Sequence, residues 1–218
     1  MRIRSKPWAK EELRACGYFE ESPEAYKGKW KEAFQNDNPI ALELGCGKGL
    51  FVGQIAKLHP EMNYIAIDIK LDILGVAKRN IETIFEGKPV SNIRLVQRNI
   101  EQINEILAPE DGIDQVYINF CNPWPRGKHQ KRRLTHTRLL LKYKEFLKPG
   151  SKIYFKTDDD ALYHSSFRYF DEAGYHIIKA TEDLHKQPIF EENIMTEHEK
   201  MYTEEGIKIK GILAEVEE

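Results

Sequence analysis

The chain has 218 residues, 41% of them hydrophobic, enough for one continuous core and few for two. No apolar run approaches the roughly 18 residues of a membrane span and the basic start leads into charged residues, so a cytosolic protein is expected; three widely spaced cysteines, Cys16, Cys46 and Cys121, exclude a disulfide framework or a thiolate zinc site. The formal net charge of -2 conceals a segregation: residues 115–157 carry 11 Lys or Arg against the single acid Glu145, while residues 158–218 carry 16 acids against 6 bases, so the middle of the chain is suited to a polyanionic partner.

Residues 1–21 lack periodicity and are expected to form a flexible basic arm ahead of a single domain over residues 22–218. Ser22 and Pro23 suit an N-cap and first helical position, which predicts a helix to about Phe34 with Tyr26, Trp30 and Phe34 on one side. Strand-length apolar runs follow at residues 40–44, 64–68, 93–97, 115–120, 152–156, 175–180 and 207–216. Helical periods fall between them, over 50–58, from Ile73 to a stop at Gly87, over 137–147, and from Asp159 to a stop at Gly174. The last run alternates, as an antiparallel strand does. The expected fold class is therefore α/β: a Rossmann-like, doubly wound, seven-stranded sheet, mostly parallel with an antiparallel last strand, helices on both faces, and a ligand site at the strand carboxyl ends.

The first run opens into Glu43-Leu-Gly45-Cys-Gly47-Lys-Gly49 and then a helix. Glycines there let a backbone approach a ligand, and the spacing G-x-G-x-G departs from the dinucleotide fingerprint because Leu50 stands where that pattern has its third glycine. Asp68 closes the second strand, where a carboxylate can accept both ribose hydroxyls of an adenosine ligand. Asn99, after the third strand, either faces the adenine edge or bonds its own backbone.

After the fourth strand comes Asn119-Phe-Cys-Asn122-Pro-Trp124-Pro, a loop stiffened by two prolines, whose aromatic rings can stack on a base and whose Asn122 can hydrogen-bond its edge. Arg126-Gly-Lys128-His129-Gln130-Lys131-Arg132-Arg133 follows with five fixed positive charges and no acid, and an aromatic platform beside a basic run marks a nucleic-acid surface. For His129 and His136 a phosphate or sugar contact competes with a plain surface or capping role. The acids Asp158-Asp159-Asp160 fit a helix N-terminus better than a cation site, and no metal is expected.

Over essentially its full length the chain resembles the bacterial tRNA (guanine-N7)-methyltransferases. The resemblance rests on the Glu43–Gly49 loop, Asn122-Pro-Trp-Pro, Lys131-Arg-Arg-Leu-Thr-His136, Phe155-Lys-Thr-Asp158, Asp183-Leu-His185 and Asn193-Ile-Met-Thr-Glu197, in the family's order. It implies S-adenosylmethionine as methyl donor and tRNA as partner, with methylation of a variable-loop guanosine at N7. It also implies that Glu43, Asp68, Asn99 and Asn122 line the cofactor pocket, beside the loop glycines Gly45, Gly47 and Gly49, that Asn122 occupies the catalytic position, and that Arg126, Asp158, Thr196, Glu197, His198 and Glu199 hold the guanosine; a carboxylate such as Asp158 can also act catalytically by stabilising the positive charge that methyl transfer places on the purine. Lys128, His129, Gln130, Lys131, Arg132 and Arg133 match an RNA-contacting stretch. Asn99 and Asn122 stand where the family usually has Asp, and Arg126 where it has Lys. Two other readings compete: a methyltransferase of exocyclic amino groups, whose motif resembles Asn122-Pro-Trp-Pro, and a non-catalytic tRNA-binding relative. The oligomeric state is open between monomer and homodimer.

Overall fold

A computed structural model describes residues 5–217. Contacts along the chain divide it into two compact units, one ending at Asp111 and the other beginning at Gly112.

In the first unit, β1 (Phe19–Glu20), β2 (Ile40–Leu44), β3 (Asn63–Asp68) and β4 (Ile93–Gln97) lie in the order β1-β4-β3-β2, all parallel. β2 is buried at every position and β3 at every position but its last, as expected of strands covered on both sides. Helix α3 (Leu50–Leu58) ends where the sequence predicted, before Pro60, and α4 (Leu71–Ile84) turns Ile73, Leu74, Ala77 and Ile81 inward.

Two expectations in this unit are corrected. The opening segment is not a loose arm from residue 5 onward: it forms helix α1 (Trp8–Arg14), which buries Ala9 and Leu13 and packs on α4, and then β1. Residues 1–4 of that expected arm lie outside the described residues. Arg79 stacks 3.5 Å from the Trp8 ring centre and pairs with Glu12, so α1 is also tied by charge. The helix expected over residues 22–34 is two pieces, a 3-10 turn (Pro23–Tyr26) and α2 (Trp30–Phe34), parted at Gly28 with φ +78°. The buried Asp111 carboxylate accepts the freed N–H groups of Gly28 at 2.9 Å and Trp30 at 3.0 Å, which makes the break cheaper than continuing the helix. The row of Tyr26, Trp30 and Phe34 survives the break, with ring centres 5.7 and 6.5 Å apart.

In the second unit, β5 (Ile113–Asn119) pairs in parallel with β6 (Leu147–Thr157), and β8 (Lys210–Val216) runs antiparallel to both β6 and β7 (Tyr175–Thr181), giving β5-β6-β8-β7. Helices α5 (Thr137–Lys144) and α6 (Asp160–Glu172) lie near the predicted positions. The described residues hold eight strands, not seven; β1 is the additional one, and at two residues it is too short to show a period. A further helix, α7 (Glu197–Glu204), was not anticipated. Leu184, Phe190, Ile209 and Leu213 form a small core in this part of the unit, joined by Phe120 and Tyr202.

Candidate active site

The loop after β2 is shaped by its main chain. Gly45, Gly47 and Gly49 have φ of +80°, +52° and +69°, a region costly for residues with a Cβ. The N–H groups of Gly45 and Cys46 both donate to the Ile67 carbonyl, at 2.8 and 3.0 Å, binding the turn to the end of β3. Gly49 packs against α4, where a Cβ would lie 2.7 Å from that of Ala77. Gly47 differs: a Cβ there would meet nothing within 4 Å. Asp68 completes the loop, its two carboxylate oxygens accepting N–H groups of Gly47 at 3.1 Å and Lys70 at 3.0 Å. Burial raises the Asp68 pKa against the opposing pull of those N–H groups. Each oxygen retains a lone pair, so a ribose diol is a fitting partner for the carboxylate, and the space over Gly47 fits a ligand backbone atom could approach. Glu43 is buried at the end of β2. Asn99 caps a 3-10 turn, accepting the Glu101 N–H at 3.1 Å, which realises the local alternative for its carbonyl and leaves its amide group to donate.

In the second unit the loop after β5 has no glycine, yet Phe120 and Trp124 take φ of +52° and +44°. Asn122 lies between them, exposed, and its Oδ1 accepts the Trp124 N–H at 3.0 Å in an Asx turn. Burial pushes the thiol of Cys121 beside it up to about 12 and keeps it neutral. Arg126, Lys128, Lys131 and Arg132 are exposed along a short 3-10 helix (Gly127–Arg132), and His129 and Gln130 are half-buried. Arg132 lies 5.2 Å from the Trp124 ring centre and the His129 ring 5.8 Å from it, so Trp124 already has neighbours against its ring. His136 caps α5, its Nδ1 accepting the Arg138 N–H at 3.1 Å. One member of the basic run stands apart: Arg133 is 1% exposed, its guanidinium turned inward while its charged neighbours face solvent. Its Nε donates to the Pro123 carbonyl at 2.7 Å and its Nη1 faces the Tyr169 hydroxyl at 3.4 Å.

The predicted guanosine residues divide in the same way. Thr196 caps α7 in a reciprocal box with Glu199, its hydroxyl accepting the Glu199 N–H at 3.0 Å. Glu199 is fully buried, with its carboxylate turned to partners within the protein. Its carboxylate accepts Lys156 Nζ at 2.7 Å and Asn193 Nδ2 at 2.7 Å, with His185 Nε2 3.1 Å away. Lys156 also donates to the carbonyls of Asn193 (side chain, 3.0 Å) and Ile194 (main chain, 2.9 Å), and its own main-chain carbonyl accepts the Phe120 N–H at 2.9 Å. This one residue of β6 thus holds both the start of α7 and the start of the Asn122 loop. Three sequence motifs, those containing Lys156, His185 and Asn193, meet here in a role that sequence reasoning did not assign. Glu197 and His198 remain exposed on α7. The rings of His198 and Tyr202 lie 6.1 and 6.0 Å from that of Phe120, and Asp158, half-buried just beyond β6, is close enough that its charge helps raise the Tyr202 pKa, after burial. Asp159, not Asp158, caps α6, accepting the Leu162 N–H at 2.6 Å. Among the described residues no group of three or more His, Cys, Asp or Glu converges as a metal site, and no helix is long and apolar enough to cross a membrane.

A protein-family model described as "Putative methyltransferase" matches residues 37–212, a span that runs through both units. The tRNA (guanine-N(7)-)-methyltransferase of Clostridium beijerinckii is 56% identical over 216 residues, 98% of each chain, and that of Clostridium botulinum (strain Eklund 17B / Type B) is 54% identical over the same share. The chain belongs to the tRNA (guanine-N(7)-)-methyltransferase family. It is an S-adenosylmethionine-dependent methyltransferase. Solved structures give the same fold at low identity: the 16S rRNA methyltransferase KamB, 12% identical, covers 92% of this chain and 95% of its own with a TM-score of 0.64, and the antibiotic-resistance methyltransferase Kmr, 16% identical, covers 86% and 91% with 0.57. That likeness concerns the Rossmann-like α/β fold alone. Within this family the geometry explains one departure in the sequence: the Asx turn at residue 122 needs only a side-chain oxygen, which Asn supplies as well as the usual Asp.

Proposed function

We propose that this chain transfers the methyl group of S-adenosylmethionine to N7 of a guanine in tRNA, the variable-loop guanosine, and works in the cytosol as a single catalytic domain. The observation that carries the reading is the 56% identity to a tRNA (guanine-N(7)-)-methyltransferase across 98% of both chains. The residues support it.

The bound cofactor supplies an electrophilic methyl group on a sulfonium. Glu43 and the backbone of Gly45, Gly47 and Gly49 hold its amino-acid and sugar portions, Asp68 accepts the ribose hydroxyls, and Asn99 offers its amide group to the adenine edge. Guanine N7 carries a free lone pair and no proton, so attack requires no general base, and orientation of the base can account for most of the rate, with about 7–11 kcal/mol available from that source in principle. Asn122, its Oδ1 occupied by the turn, donates from its amide nitrogen to an acceptor on the guanine. The transfer makes the purine positive, and the Asp158 carboxylate stabilises that charge. His198 and Glu197, exposed on α7, and Arg126 hold the nucleoside; Thr196 acts through the helix it caps. Arg126, Lys128, Lys131 and Arg132, with His129 and Gln130 beside them, meet phosphates.

The test is incubation of the protein with bulk tRNA and S-adenosylmethionine carrying a labelled methyl group, followed by borohydride and aniline cleavage, which cuts RNA at N7-methylguanosine. Cleavage within the variable loop is expected. Label recovered as N6-methyladenosine would favour the exocyclic-amine reading, and no label at all would favour a non-catalytic tRNA-binding relative.

A further inference from the structure

We propose that Arg133 is a positioning residue for the methyl-transfer loop, its buried guanidinium fixing the main chain that carries Asn122, and that it has no part in binding RNA. The inference rests on the function proposed above for why the loop matters, but the physical argument for the strut is independent of it.

The basic run contains five cations, and four of them are exposed. Arg133 is 1% exposed, so a phosphate cannot reach it without the surrounding structure opening. Among the described residues it has no carboxylate at ion-pair distance; its acceptors are neutral, the Pro123 carbonyl at 2.7 Å and, more weakly, the Tyr169 hydroxyl at 3.4 Å. A buried charge without a counter-ion is costly, and a guanidinium in such a place is there for the directions of its N–H groups. Its main chain is itself held at both sides, its N–H donating to the Gln130 carbonyl and its carbonyl accepting the His136 N–H, each at 3.0 Å. Arg133 is thus a fixed point from which to hold something else.

What it holds is a loop that cannot keep its own shape. Phe120 and Trp124 both sit at positive φ without being glycine, which a loop adopts only when neighbouring structure imposes it. Asn122 contributes one contact within the loop, to the Trp124 N–H. Further restraint comes from outside the loop: the Lys156 carbonyl accepts the Phe120 N–H at its start, and Arg133 grips the carbonyl of Pro123. The loop is therefore anchored on both sides of Asn122, at Phe120 to β6 and at Pro123 to Arg133. Loss of the Arg133 contact frees the Pro123 peptide and with it the orientation of Asn122.

The test uses Arg133→Met, which keeps the stem and removes the fork, and Arg133→Lys, which restores one donor, in the full chain with tRNA and S-adenosylmethionine. For Arg133→Met the single-turnover rate at saturating tRNA should fall about 100-fold, the order expected for a small misplacement of a positioned group, while tRNA affinity and its salt dependence stay as in the parent. Arg133→Lys should recover part of that rate. Trypsin cleavage within residues 126–132 should quicken by about tenfold in Arg133→Met, reporting a loosened loop. Arg132→Ala supplies the contrast, with weaker tRNA binding and a flatter salt slope. A parent-like rate at saturation, or a loss in Arg133→Met that appears as tRNA affinity and salt slope, overturns the proposal. If Arg133→Met does not fold, the same readouts on Arg133→Lys decide it: a lowered rate at parent affinity supports the strut, and lowered affinity at parent rate overturns it. If the parent makes no N7-methylguanosine, the functional reading fails by itself, and the trypsin comparison still decides whether Arg133 holds the loop.

Discussion

In the first unit, the loop over residues 45–49 keeps its shape through main-chain hydrogen bonds and through the side chains it lacks, whereas in the second, the loop over residues 120–124 is held from outside, by the Lys156 main-chain carbonyl and the Arg133 side chain. Three glycines at positive φ leave the first loop open above Gly47. The second takes the same backbone region at Phe120 and Trp124, with external struts in place of conformational freedom. A loop of the first kind suits a ligand that must be wrapped by backbone, and one of the second kind suits a side chain that must be aimed. Substitutions should accordingly affect cofactor affinity in the one and turnover in the other.

The largest effect should come from the support beneath the second loop. Glu199→Ala leaves the Lys156 ammonium buried without its anion, which costs about 3–5 kcal/mol, and thermal melting should show a fall of roughly 10 °C for a chain of this size. A melting point lowered by only a degree or two would mean the pair carries little of the structure. In the first loop, Gly49→Ala combines a left-handed φ with overlap on Ala77 and should cost roughly 2–4 kcal/mol of stability. Gly47→Ala has the φ strain alone, about 1–2 kcal/mol, and should fold yet bind S-adenosylmethionine at least about tenfold more weakly by calorimetry. Equal cofactor affinity for Gly47→Ala and the parent would remove the ligand from that space.

Asn122→Ala should lower the single-turnover methylation rate by about 100-fold with cofactor affinity little changed; a rate equal to the parent's would leave Asn122 without a role in aiming the base. Smallest in free energy, Lys131→Ala with Arg132→Ala should flatten the slope of log affinity for tRNA against log salt by about 2, and an unchanged slope would move the RNA path away from the 3-10 helix over Gly127–Arg132.

These two loops also differ in how far the sequence disclosed them. The glycine spacing, the buried apolar run of β2 and the acid closing β3 are local signals, each interpretable without knowing what packs nearby, and the structure has them where expected. Arg133 is the opposite case: beside Arg132 in the chain, it differs from it only in burial, which no pattern of charges encodes. Helix α7 escaped notice because its single buried residue is Glu199, so it has no apolar stripe to reveal a period. The capping box at Thr196 and Glu199 has a sequence signature of its own, Thr-x-x-Glu, and it lies within the stretch that the resemblance assigns to the guanosine. Gly28 was likewise visible, yet the break it makes depends on Asp111, 83 positions away in the chain.

The most direct test of the account is mass spectrometry of the nucleosides of tRNA lacking N7-methylguanosine, digested after incubation with the protein and S-adenosylmethionine. One N7-methylguanosine should appear per substrate tRNA, in proportion to S-adenosylhomocysteine formed. Methylation of any other position on the nucleosides, or S-adenosylmethionine left unconsumed beside intact tRNA, would contradict it.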